Sequence, residues 1–110
     1  MAKNTIIKIG QTFRRQLALT YVDDNTPVDL TGCEAFSQMR DYPGGNLAAT
    51  AVCTLDYALG RITATFSASD TADIPEGEYG YDIWIVSEGD EVPLYTERVS
   101  VIKKYTENIP

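Results

Sequence analysis

The segment Glu78-Tyr79-Gly80-Tyr81-Asp82-Ile83-Trp84-Ile85-Val86 decides the fold. Tyr79, Tyr81, Ile83 and Ile85 share one parity, while Gly80, Asp82, Trp84 and Val86 share the other. An extended strand turns that alternation into one apolar face and one face of different character. Turn-forming residues bound the segment on both sides, Pro75-Glu76-Gly77 before it and Ser87-Glu88-Gly89-Asp90-Glu91 after it. The second cluster reads as a hairpin turn, with a returning strand over 94–103.

Upstream, the same period-two signal recurs between short turn clusters. A first strand is expected over 5–9, ended by Gly10. Phe13, Leu17, Leu19 and Tyr21 then form an apolar parity that Arg15 interrupts near one end. Asp23-Asp24-Asn25-Thr26-Pro27 is a turn, and residues 33–40 are a third strand. That strand has Cys33, Ala35, Ser37 and Met39 on one face and Glu34, Phe36, Gln38 and Arg40 on the other. Tyr42-Pro43-Gly44-Gly45-Asn46 is a turn, 47–55 a fourth strand, and 61–66 a fifth with Ile62, Ala64 and Phe66 inward. Ser67-Ala68-Ser69-Asp70 carries an N-cap serine with an acid three residues on, and Pro75 stops the helix that begins there. The expected architecture is all-β: an antiparallel two-sheet, immunoglobulin-like β-sandwich of about seven strands with one short helix. It forms one domain over 1–110, with a core over about 5–103 and a tail over 104–110.

The 110 residues carry 16 acidic and 9 basic side chains, a net charge of −7. That sign repels phosphate backbones, and Arg14–Arg15 and Lys103–Lys104 are only doublets, so no nucleic-acid partner is expected. Nothing approaches the roughly 18 apolar residues of a membrane span, and no secretory signal is visible, so neither a membrane partner nor export is expected. Cys33 and Cys53 are read as reduced, buried thiols, with a disulfide as the alternative.

Histidine is absent, which removes the commonest general base and metal ligand and any Ser-His or Cys-His nucleophile. Paired carboxylates could serve glycoside hydrolysis, but Asp23/Asp24, Asp70/Asp73, Glu76/Glu78 and Glu88/Asp90/Glu91 all sit in turns or at a helix start. Backbone capping alone accounts for them there. Glu88-Gly89-Asp90-Glu91 and Asp23-Asp24-Asn25 lack the ligand register of a calcium loop. Gly44-Gly45 follows proline and opens no helix, so it is no phosphate loop. No enzyme activity, catalytic residue, cofactor or metal is expected.

Three pieces of the chain, in order, carry a family resemblance. They are Ile9-Gly10-Gln11-Thr12-Phe13, Pro27-Val28-Asp29-Leu30-Thr31-Gly32, and Ser67-Ala68-Ser69-Asp70-Thr71 ahead of Pro75-Glu76-Gly77-Glu78-Tyr79-Gly80-Tyr81-Asp82-Ile83. Over about residues 6–102 the chain resembles the N-terminal domain of the baseplate upper protein family of tailed phages. The resemblance implies a β-sandwich that anchors a host-recognition appendage to the particle. It further implies other virion proteins as partners, a homo-oligomer or symmetric assembly, and location in a virion assembled in the host cytoplasm. Members of that family commonly continue into a fibre or receptor-binding region, whereas this sequence stops at Pro110. A separate docking subunit and a capsid decoration protein are both compatible with that difference.

Apolar residues on the outward parity are the candidate interface: Trp84 and Val86 from the central strand and Phe36 from its neighbour. The opposite parity, with these side chains inward, or cover by the short helix and a loop, is the alternative for these three. Ile6, Ile7, Ile102 and Ile109 near the termini are either anchors into a neighbour or frayed ends. A different class of function, a carbohydrate-binding module contacting the host surface, would use Trp84 and nearby tyrosines as its platform.

Overall fold

The computed structural model describes residues 5–105. Eight strands and one short helix follow in the order β1 (Thr5–Lys8), β2 (Phe13–Ala18), β3 (Glu34–Arg40), β4 (Leu47–Thr50), β5 (Val52–Asp56), β6 (Arg61–Phe66), α1 (Ala68–Ala72), β7 (Gly77–Ser87) and β8 (Asp90–Ile102). They form a five-stranded sheet, β1-β8-β7-β3-β4, and a three-stranded sheet, β2-β6-β5. The mostly β, two-sheet architecture agrees with the alternation in the sequence.

The decisive strand behaves as its parity requires. Tyr79, Tyr81, Ile83 and Ile85 of β7 are buried and join Ile62, Ala64 and Phe66 of β6 in one core. Aromatic contacts bind the sheets to each other. Phe13 and Phe66 stack at 6.2 Å between centroids, and both meet Tyr81 edge-on at 5.7 and 5.6 Å, the geometry aromatic quadrupoles favour. The hairpin from β7 to β8 closes through Glu88 and Gly89, both at positive φ (52° and 85°). This is the backbone that matches the strand twist in a two-residue turn. The helix starts as its sequence dictates, with Ser67 Oγ accepting from the Asp70 N–H at 3.1 Å. The buried Thr71 hydroxyl donates to the Gln11 carbonyl at 2.7 Å and so ties α1 to the β1–β2 turn.

Four expectations need correction. The expected strand over 47–55 is two strands: β4 pairs with β3 and β5 with β6, so the chain crosses between sheets at Ala51, whose N–H still reaches the Ser37 carbonyl. Pairing is not wholly antiparallel, because β1 runs parallel to β8. Strand β8 begins at Asp90, four residues earlier than expected. Pro93 hides that start in the sequence, and the structure tolerates it beside a register shift between Ile83 and Trp84. Finally, Tyr21 lies beyond the end of β2 and is half exposed instead of continuing its apolar face.

Candidate binding surfaces

The outer face of the five-stranded sheet is laid out in rows by strand register. Phe36 of β3 pairs with Trp84 of β7, which pairs with Pro93 of β8. The next row is Gln38–Asp82–Thr96, and the next Arg40–Gly80–Arg98. The Tyr42-Pro43-Gly44 turn walls one end. Apart from Pro93, these residues line a groove of about 430 Å³, within the range of roughly 300–1,000 Å³ of small-molecule sites.

Side chains around the groove differ in how far they are committed. Arg40 is held, donating to the Gly45 carbonyl at 2.8 Å and to Gln38 Oε1 at 3.0 Å. The turn beside it is fixed by Asp41 Oδ1, which accepts from the Tyr42 and Asn46 N–H groups, each at 2.9 Å. By contrast, the side chains of Asp82 and Arg98 have no hydrogen bond or ion pair with another described residue.

Of the sequence-derived candidates, Phe36 (51% exposed) and Trp84 stand side by side in this groove. Val86, partly buried, faces the same way further along β7. Ile6 is 57% exposed, and Ile102 is partly buried on the neighbouring strand. Ile7, offered as an anchor into a neighbour, is instead fully buried in the chain's own core, because it has the inward parity of β1. Ile109 lies outside the described residues. Gln11 closes part of the β1 edge: its Oε1 accepts from the Lys8 N–H and its own N–H donates to the Lys8 carbonyl, both at 2.9 Å.

Two features were not foreseen. The first is an apolar loop end. Tyr21 and Val22 in the β2–β3 loop, and Tyr57 and Leu59 in the β5–β6 turn, are all exposed, Val22 at 95%. Backbone bonds tie the two segments together: Leu19 N–H to the Gly60 carbonyl at 2.8 Å and Leu30 N–H to the Tyr57 carbonyl at 3.1 Å. Gly60 permits this approach, since at φ +64° a Cβ would fall 2.7 Å from the Leu19 carbonyl oxygen. In the sequence, Asp24-Asn25-Thr26 and Asp29-Leu30-Thr31 signal turns. Each aspartate takes the N–H and hydroxyl of the threonine two residues on, and these bonds hold both carboxyls below their ordinary range.

The second is a polar clasp between the sheets. Arg15 of β2 reaches Glu97 of β8 at 2.7 and 2.9 Å, and Glu97 also accepts from Tyr81 Oη at 2.6 Å, Thr5 Oγ1 at 2.9 Å and Tyr95 Oη at 3.1 Å. The Arg15 guanidinium lies 5.6 Å from the Phe13 ring centroid and 5.9 Å from that of Tyr95. Desolvation pushes the Glu97 carboxyl up, but the bonds from Tyr81, Arg15 and Thr5 together outweigh it, leaving its pKa lowered. The Tyr81 phenol is raised, by desolvation first and by its bond to Glu97 second. The arrangement braces the sheets. Its sequence signal is a pair of opposite charges at inward parities, Arg15 among Phe13 and Leu17, and Glu97 between Tyr95 and Val99.

In comparisons with known proteins, no family model matches this sequence and no curated protein does.

Proposed function

We propose that this chain is a docking module of a tailed-phage virion. In this reading its two sheets form an immunoglobulin-like β-sandwich within the tail, baseplate or fibre-attachment apparatus. The loop end carrying Val22 and Leu59 binds a larger virion protein. That loop end is the observation behind the reading. Four large apolar or aromatic side chains exposed on two joined loops are costly in water and are gained back when a partner covers them. The net charge of −7 keeps free copies soluble before assembly. The ordered resemblance to the baseplate upper protein family supplies the class of partner. Binding, and no chemical step, is the role assigned.

The test uses particles of the phage encoding the chain. Val22→Asp and Leu59→Asp change exposed positions and are expected to leave the fold intact by circular dichroism. Purified virions are expected to retain the wild-type chain and lose the double variant. A wild-type chain missing from virions, or a variant retained as well as wild type, overturns the assignment. Separation of heads from tails distinguishes it from a capsid decoration protein, the alternative role for the same sandwich: retention with tails supports the proposal, and retention with heads replaces it.

A further inference from the structure

We infer that the groove on the outer face of the five-stranded sheet is a saccharide-binding site, with Trp84 and Phe36 as its stacking platform and Asp82 and Arg98 as its hydroxyl-reading pair. The inference is independent of the docking role, because the groove and the apolar loop end are built from different segments.

Gly80 carries the most weight. It lies inside β7, which pairs on both sides, where glycine weakens a strand and has no side chain to pack. Its φ is not in the left-handed region, and a Cβ there would meet only the Glu97 carbonyl oxygen at 3.6 Å, an ordinary contact. What glycine does here is leave bare floor between Arg40 and Arg98, its direct cross-strand partners. A glycine inside a strand marks a bulge, a bend, or close approach by a ligand or another backbone; Arg40 opposite it stands at a register shift of β3, and the space left over this floor is open to a ligand.

Groove chemistry narrows the ligand. At one end the rings of Phe36 and Trp84 offer flat apolar surface, which suits the C–H face of a pyranose. In the next row Asp82 presents acceptors, and in the row beyond it Arg98 presents donors, that no other described residue takes. Gln38, with its carbonyl taken by Arg40, keeps its amide protons free. Each sugar hydroxyl both donates and accepts, so a carboxylate and a guanidinium on adjacent strands of one groove can satisfy different hydroxyls of one sugar.

Trp84 is the chain's one tryptophan, so its fluorescence reports on the groove alone. The full chain is titrated with oligosaccharides built from glucose, galactose, rhamnose and N-acetylglucosamine, following Trp84 emission and, in parallel, heat of binding. At least one class is expected to give a saturable signal. Gly80→Val, which fills the floor, and Asp82→Ala are each expected to weaken binding roughly tenfold or more, while Val22→Asp leaves it unchanged. Asp82→Ala alone decides if Gly80→Val fails to fold. The inference is overturned if no class binds at millimolar concentration, if binding survives both groove variants, or if a peptide from another virion protein occupies the groove and no sugar does.

Discussion

Replacing Glu97 by alanine should cost this domain several times what an exposed ion pair is worth. The carboxylate is the common acceptor for Arg15, Tyr81, Tyr95 and Thr5, and it joins strands of both sheets. Removing one partner of a fully buried pair costs about 3–5 kcal/mol. Here the side chains of Arg15 and Glu97 are 32% and 17% exposed, so water recovers part of the loss and about 2–3 kcal/mol remains. At about 4 °C per kcal/mol for a domain of this size, the melting temperature should fall by roughly 8–12 °C. Glu76→Gln is the internal control. Its pairing with Lys103 is 3.8 Å long and well exposed, so its loss should cost under about 0.5 kcal/mol. Thermal and urea unfolding of both variants, followed by circular dichroism, compare the two. The pH dependence has a definite sign. A folded-state pKa held below the ordinary 4.5 means that Glu97 contributes stability above pH 4.5, and that this is lost as pH falls through the folded pKa. Wild type should therefore lose more stability on acidification than Glu97→Gln. A Glu97→Ala loss no larger than that of Glu76→Gln would refute the clasp.

Three further outcomes follow from the core and its turns. Gly60→Ala should destabilise by about 1–3 kcal/mol from the left-handed backbone alone, and by more because its Cβ would meet backbone oxygens of Leu19 and Val28; chemical denaturation measures it. Phe66→Ala should cost about 3–5 kcal/mol in the same assay, since Phe66 is fully buried against Phe13 and Tyr81. Ser37 Oγ is buried without a hydrogen-bond partner among the described residues, so Ser37→Ala should be neutral or stabilising, the reverse of what buried serines with partners show.

The strands that sequence reveals best are those whose two faces meet different surroundings. Residues 61–66 and the centre of β7 alternate cleanly because one side meets the core and the other meets solvent or the groove. Trp84 and Phe36 could be placed outward for the same reason. What parity cannot convey is which strand lies beside which. Thr5 and Val99 are paired in parallel, yet nothing local in either segment specifies a neighbour so distant in sequence. The crossing at Ala51 is similarly hidden, because the inward parity of Ala49 continues through Cys53 and Leu55 while the hydrogen-bonding partner changes from β3 to β6. Arg15 was visible only as a flaw in an apolar stripe; its meaning required Glu97 on the other sheet. The apolar loop end was missed for a different reason: Tyr21 continued the parity of β2, and only the turn closed by Thr20 and Pro27 carries it out to solvent.

A reconstruction of the phage particle at side-chain resolution bears most directly on the docking role. It should place this two-sheet domain on the tail, with Val22 and Leu59 covered by a larger neighbouring subunit. Density showing those two loops facing open solvent on every copy would contradict it.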